Sequence, residues 1–176
     1  MSNLMPGRRS ALFLLRLGLS LLLVGVGWLI IEWLVIGQAK VPPPTSMAGL
    51  TLSEQVMGQA ALAEIERLHG KIFPMTDGAV AHYGNGLATV WISSTWLPFM
   101  AARQVEAMTD RIAEAGGRSP FTPIGTIEIE DTPVYVLTGM GQMHYYFQLD
   151  RRVVWLAVFP QFAEQSLEDL IRQLHN

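Results

Sequence analysis

A run of twenty residues from Leu17 to Ile36 contains a single charged side chain, Glu32. A helix rises about 1.5 Å per residue, so a helix of this length covers roughly the 30 Å hydrocarbon thickness of a bilayer. The run therefore predicts a transmembrane helix, which we place at residues 11–36. The lipid bilayer is its predicted partner.

The charges on either side of the run predict its direction across the membrane. Arg8 and Arg9 precede it, and Arg16 can extend its head group back to the same interface, whereas only Lys40 follows closely. Basic residues are retained on the cytoplasmic side of a bilayer. We therefore expect residues 1–10 to be cytoplasmic and the C-terminal part of the chain to be extracytoplasmic, in the periplasm or outside the cell.

Two tryptophans and the acid mark the predicted outer interface. Trp28 and Trp33 lie where amphipathic rings prefer to sit, at the boundary between hydrocarbon and water. Glu32 is about one helical turn from the end of the run. Hydration at this shallow depth is the favoured interpretation, and a hydrogen bond to a neighbouring transmembrane helix is the alternative.

A cleaved signal peptide is the alternative to a permanent anchor. Small residues at Gly37-Gln38-Ala39 would suit a signal peptidase, and the mature chain would then begin at Lys40. The apolar region of a signal peptide normally has about 7 to 15 residues, however, and this run is longer. The length favours an anchor in the cell membrane.

Composition narrows the possible partners and chemistry. Residues 1–40 carry four basic residues and one acidic residue, and the remainder carries 8 basic and 14 acidic residues. An acidic domain lacks the basic stripe that neutralises phosphates, so nucleic acid is not a predicted partner. The chain has no cysteine, which excludes disulfides, thiolate metal sites and cysteine nucleophiles.

A proline-rich linker and one domain follow the predicted anchor. Pro42-Pro43-Pro44 favours an extended conformation, so residues 37–49 are predicted to form a semi-rigid spacer. Residues 50–176 form the predicted domain. Its first helix is expected to begin at a capping box, Thr51-Leu52-Ser53-Glu54.

The remaining periodicity predicts an α+β domain. The expected order within the domain, after the anchor, is α-β-β-α-β-β-β-β-α, with about 5–6 antiparallel strands and three helices. Asn85-Gly86 is predicted to turn the first hairpin, because such turns need a positive φ. The second and third helices are expected to follow Pro98 and Pro160, with apolar residues on one face of each, among them Met108 and Ile112 in the second helix.

Residues 124–159 are typical of a four-stranded meander whose short turns fix the register. The turn at Asp150-Arg151 predicts Tyr145 opposite Leu156 and Phe147 opposite Val154. The glycine turn at residues 139–142 predicts Val136 opposite Tyr145, and the turn at Asp131-Thr132 predicts Ile127 opposite Val136 and Ile129 opposite Val134. All three turns place aliphatic side chains on one face of the sheet.

The same register predicts a polar and aromatic row on the opposite face, and we take this row as the candidate partner-binding surface. Partner interfaces are enriched in aromatic side chains with a polar tip. Alternatively the row is a structural ladder covered by a helix, and this interpretation is slightly favoured because three amphipathic helices must pack somewhere. The candidate residues are Glu128, Tyr135, Leu137, His144, Tyr146 and Trp155.

No motif in the sequence is specific for a reaction, a cofactor or a metal. We therefore predict a non-catalytic accessory or assembly subunit that docks on a larger membrane or envelope complex, with other membrane proteins as partners. One alternative is a ligand-binding or copper-binding module whose pocket contains His82, His144 and Tyr146. The other is an enzyme of a type that the sequence does not identify.

Overall fold

A computed structural model describes residues 8–36, 42–69 and 74–175. The chain divides into two units, residues 1–38 and residues 39–176. The described part of the first unit is one helix, and the described part of the second is an α+β domain. Each unit is described by itself.

Helix α1 spans Arg8–Ile36. Its segment Leu12–Glu32 is long and apolar enough to cross a membrane, with a mean hydropathy of 2.2, and none of it is buried by the rest of the protein. All six residues predicted to lie at the membrane interfaces belong to this helix. The side chains of Arg16, Trp28 and Glu32 are exposed, and those of Arg8, Arg9 and Trp33 lie outside the described side chains.

The described residues of the second unit form eight strands and three helices. Its strands are β1 (Ser46–Met47), β2 (Leu50–Met57), β3 (Asp77–Tyr83), β4 (Ala88–Ser94), β5 (Phe121–Ile129), β6 (Thr132–Gly139), β7 (Gln142–Leu149) and β8 (Arg152–Val158). Its helices are α2 (Gln59–His69), α3 (Pro98–Ala115) and α4 (Ala163–His175). Short 3-10 turns follow α3 at Gly116–Arg118 and precede α4 at Pro160–Phe162.

All eight strands form one antiparallel sheet in the order β1-β2-β3-β4-β8-β7-β6-β5. The sheet curls around α4, which packs on one face and contacts strands from both halves of the sheet, β1, β7 and β8. The opposite face is covered by α2 over β3 and by α3 over β7 and β8. The antiparallel α+β class is therefore confirmed, but the domain has more strands than the expected five or six, and it begins with β1 and β2 rather than with a helix.

Helix α4 closes the aliphatic core. Five of its apolar side chains are buried against the sheet: Ala163, Leu167, Leu170, Ile171 and Leu174. The Arg152 guanidinium donates a hydrogen bond from Nη2 to the Leu174 carbonyl at 2.9 Å, and so satisfies a backbone group at the end of the helix. Asp169 accepts a hydrogen bond from the Ala48 backbone N–H at 2.9 Å, which attaches the β1–β2 turn to the same helix.

The register of the meander is confirmed on two of its three turns. Tyr145 pairs with Leu156 and with Val136, as the turn positions predict. The β5–β6 register was predicted wrongly by two residues, because Ile127 pairs with Val134 rather than with Val136. The structure turns at Glu130 and Asp131, which both have positive φ angles of 48° and 61°. Two consecutive left-handed residues make a tighter hairpin turn than the expected one.

The predicted capping box at residues 51–54 is wrong, because these residues belong to strand β2. Met57 ends the strand, and Gly58, with a φ of 67°, turns the chain into α2 at Gln59. The helical pattern that we expected from residue 51 therefore applies only after Gly58, where Ala61 and Ile65 are buried. The pattern Thr51-Leu52-Ser53-Glu54 is also compatible with an exposed strand, and here the strand forms because β2 pairs with β3.

The prolines expected in the linker pack against the domain. Pro43 and Pro44 are buried, and the hydroxyl of Tyr83 donates a hydrogen bond to the Pro44 carbonyl at 2.8 Å. Tyr83 is fully buried, and burial raises the pKa of its hydroxyl. Within the expected linker, residues 42–49 therefore contribute to the fold, and residues 37–41 lie outside the described part of the chain.

We expect Tyr83→Phe to lower the free energy of unfolding by about 1–2 kcal/mol, because it leaves the Pro44 carbonyl without this donor in a buried site. The measurement is urea-induced unfolding of the full-length protein followed by tryptophan fluorescence. Tyr135→Phe is the matched control, since Tyr135 is half-exposed. Equal midpoints for wild type and Tyr83→Phe would contradict this role of the hydroxyl.

Candidate functional site: a groove under α3 and the free edge of β5

The predicted aromatic row exists as a stack of rings on one face of the sheet. Tyr135 and Tyr146 stack with ring centroids 4.8 Å apart, and Tyr146 and Trp155 stack at 5.3 Å. Strand β4 extends the row, because Trp91 pairs with Trp155. At the other end, Thr126 rather than Glu128 lies opposite Tyr135, as the corrected register requires. The Glu128 side chain is exposed.

Helix α3 covers the centre of this row. Leu137, His144 and Tyr146 are each 2% exposed. The Tyr146 hydroxyl lies 2.9 Å from the Thr109 hydroxyl, which itself donates to the Val105 carbonyl at 3.0 Å. Tyr146 is therefore the donor of the first bond. Burial raises the pKa of Tyr146. A partner protein cannot reach these three predicted binding residues in the folded domain.

A groove remains between the second half of α3 and the sheet, with a cavity volume of about 400 Å³. The buried residues of α3 are confined to its first half: Ala101, Gln104 and Val105. Further along the helix, Met108 and Ile112 are only partly buried. The part of the groove wall that α3 contributes is Gln104, Ala107, Met108, Arg111 and Ile112.

The sheet side of the groove is mostly aromatic. Trp91 comes from β4, Trp155 from β8, His144 from β7, Phe121 from the start of β5 and Met140 from the β6–β7 turn. Phe121 meets Trp155 edge to face at 5.3 Å. A register shift between Pro123 and Gly125 bends β5 near its start and places Phe121 opposite Gly139.

His144 is held in one tautomer at the base of the groove. The Trp155 indole N–H donates to its Nδ1 at 3.2 Å, so Nδ1 is unprotonated. Its Nε2 then carries the proton and donates to the Gly139 carbonyl at 3.1 Å. Burial lowers the pKa of His144, and the hydrogen bond to Gly139 partly opposes this effect. Both ring nitrogens form hydrogen bonds within the domain, so the uncharged imidazole forms part of the groove wall.

The side chains proposed for a copper site are not brought together. His82 bonds to Thr89 through Nδ1 at 3.0 Å, and two strands separate it from His144, which at about 4.8 Å per strand spacing puts their backbones about 14 Å apart. Met143 packs in the α4 core, on the face opposite to His144. No group of three or more His, Cys, Asp or Glu residues that could hold a metal occurs among the described residues.

Strand β5 forms one edge of the sheet and pairs only with β6 within the described part of the chain. Its residues from Thr122 to Glu128 are all exposed. Two of these side chains are large and apolar, with Ile124 60% exposed and Ile127 44% exposed. The edge therefore presents both unpaired backbone groups and apolar side chains to solvent.

Most of the groove was missed by reasoning from the sequence. Trp91 lies in the groove only because β4 pairs with β8. No turn joins these two strands, so no local sequence pattern predicts their pairing. Phe121 enters it through the register shift between Pro123 and Gly125, which depends on the pairing of β5 with β6. Met108 and Ile112 were correctly placed on the apolar face of α3, and Trp155 on the aromatic row.

The sequence matches no family model, and no curated protein or solved structure matches it.

We expect the domain to lose stability as the pH falls from about 7 to about 5.5. The pKa of His144 is lowered in the folded state from its ordinary 6.5, so the unfolded chain takes up a proton in this window that the folded chain does not. His144→Gln should reduce the loss of unfolding free energy over this pH range. His82→Gln, which retains His144, should show the same loss as wild type. Urea unfolding at each pH measures the effect, and equal slopes for wild type and His144→Gln would contradict it.

Proposed function

We propose that this protein is a non-catalytic, single-pass membrane protein that acts as an accessory or assembly subunit of a larger membrane or envelope complex. In this proposal α1 anchors the chain, the N-terminus is cytoplasmic and the α+β domain is extracytoplasmic. The observation that carries the docking role is the exposed edge strand β5, with Ile124 and Ile127 open to solvent.

The exposed edge supports docking by strand addition. Natural proteins protect edge strands by shortening, charging or covering them, because an open edge pairs with other chains. The opposite edge of this sheet, β1, has two residues, whereas β5 has nine and carries one charged residue, Glu128. Its proline and its register shift lie at Pro123–Gly125, so the regular part of the open edge is residues 126–129. An extended segment of a partner with alternating apolar residues would satisfy the free backbone groups of β5 and cover the two isoleucines.

The edge replaces the aromatic row as the proposed docking surface. Tyr146 and His144 are covered by α3, so the row contributes to docking only through its more open end at Tyr135. Strand addition requires no movement of α3, because the exposed part of β5 lies beyond the residues that the helix buries.

A ligand-binding role is the second candidate function, and the groove under α3 favours it. A concave, mostly apolar cavity with a few polar groups is typical of sites for small molecules. This role is compatible with an accessory subunit, because the groove and the exposed edge use different side chains.

We expect the full-length chain to remain in the membrane fraction after an alkaline carbonate wash and to retain its N-terminal segment. The length of the apolar part of α1 supports insertion over cleavage. Membrane fractionation and mass spectrometry of the intact mature chain measure both properties. A mature chain that begins at Lys40 and stays in the aqueous fraction would contradict the anchor.

We expect an Ile124→Lys, Ile127→Lys double variant to reduce the amount of co-purifying partner by about tenfold or more, because it removes the apolar contacts of the edge. A tenfold loss of affinity corresponds to about 1.4 kcal/mol of binding free energy. Both positions are exposed, so the fold should tolerate the change. The measurement is gentle detergent extraction from membranes followed by quantitative mass spectrometry.

The matched control for this experiment is Met57→Lys, which places a charge at an exposed apolar position of β2, away from the β5 edge. It should leave the co-purifying partner unchanged. Single cysteines introduced at position 124 or 57 are unique in the chain, because it has no native cysteine, and allow direct cross-linking. Cross-links to a partner from position 57 but not from position 124 would contradict docking at the edge.

A further inference from the structure

We propose that the groove under α3 binds a single-chain amphiphile, an unbranched hydrocarbon tail with a carboxylate head, such as a long-chain fatty acid. The tail lies between α3 and the sheet, and the head lies beside Arg111. The ligand site extends the proposed accessory role and does not require docking at the β5 edge.

The walls of the groove suit a hydrocarbon tail. Trp91, Trp155 and Phe121 contribute aromatic surface, and Met108 and Met140 add flexible thioether chains that adapt to the shape of an apolar ligand. The volume of about 400 Å³ falls within the roughly 300–1,000 Å³ of small-molecule sites. Water in such a cavity would find few polar partners, so displacement by a tail is favourable.

The dimensions favour a chain over a compact molecule. The helix residues that line the groove run from Gln104 to Ile112, which corresponds to about 12 Å along the helix axis at about 1.5 Å per residue. A cavity of this volume spread over that length is narrow. Each methylene buried in it should raise the affinity about fourfold until the groove is filled.

The charge of the residues that line the groove indicates which head group the ligand carries. Arg111 is the single charged side chain among the described residues that line the groove. A guanidinium matches the two oxygens of a carboxylate better than an ammonium does. His144 does not add a competing charge, because its two nitrogens are occupied by Trp155 and Gly139. A neutral or cationic amphiphile of the same length would lack a partner at Arg111.

The candidate membrane span on the same chain makes such a ligand locally available. Single-chain amphiphiles partition into bilayers, and the domain is joined to the span of α1 by a short segment of chain. Only the supply of ligand depends on the anchor. The recognition itself depends on the groove.

The test uses the full-length protein in its own membranes and a fatty acid that carries a photoreactive diazirine in its tail. After irradiation, the chain is purified under denaturing conditions and the modified peptides are identified by mass spectrometry. We expect adducts on the α3 segment from Gln104 to Ile112 and near Met140 and Trp155. An excess of oleate should displace them, and adducts on α1 are the background from the bilayer.

Two substitutions on the same helix test the position of the tail. Ala107 lines the groove, so Ala107→Trp should fill it and lower the groove adducts about tenfold or more. Ala102 is exposed on α3 and does not line the groove, so Ala102→Trp should leave the adducts unchanged. If Ala107→Trp unfolds, Met140→Asp serves instead, because Met140 is 69% exposed in a turn and still lines the groove.

The head group is tested with Arg111→Gln. This variant should lower labelling by the photoreactive acid about tenfold and leave labelling by the corresponding long-chain alcohol unchanged. Groove adducts that persist in a folded Ala107→Trp or Met140→Asp variant, or adducts confined to α1, would overturn the proposal. An equal loss of acid and alcohol labelling in Arg111→Gln would overturn the carboxylate assignment. The co-purifying partner should be unaffected in all of these variants.

Discussion

The pairing of β4 with β8 is the contact on which the rest of the domain depends. It joins the first four strands to the last four in one continuous antiparallel sheet, and it places Trp91 beside Trp155. Helix α3 directly follows β4 in the chain, and the meander β5–β8 follows α3. Once β4 and β8 pair, α3 must cross the face of the meander, where it covers Tyr146 and leaves the groove beside it.

The parts of this fold that follow from the sequence are those specified by neighbouring residues. Asn85 and Gly86 adopt the positive φ angles that the first hairpin needs, and Asp150 ends β7 where a turn was expected. Such turns fix which residues lie opposite each other, so the pairing of Tyr135 with Tyr146 and of Tyr146 with Trp155 could be derived before the structure was known. Candidate site residues on these strands were therefore placed on the correct face.

The parts that the sequence did not specify depend on distant residues. Residues 51–54 satisfy the pattern of a capping box, but pairing of β2 with β3 satisfies their backbone groups instead. The β4–β8 pairing has no turn between the two strands, so no local signal reports it. The groove combines Trp91 with Phe121 through this pairing and through a bulge in β5, and for that reason only its walls from α3, β7 and β8 could be anticipated.

The two faces of the sheet are packed to different extents, and this difference explains why a site forms on one of them. Helix α4 buries apolar residues along its whole length, from Ala163 to Leu174, so the face beneath it is closed. Helix α3 buries residues only up to Val105, although its apolar face continues through Met108 to Ile112. The second half of α3 thus retains apolar surface that the chain itself does not bury. Burial of that surface by a hydrocarbon tail would complete the packing of α3, so occupancy of the groove and the stability of this helix should be coupled.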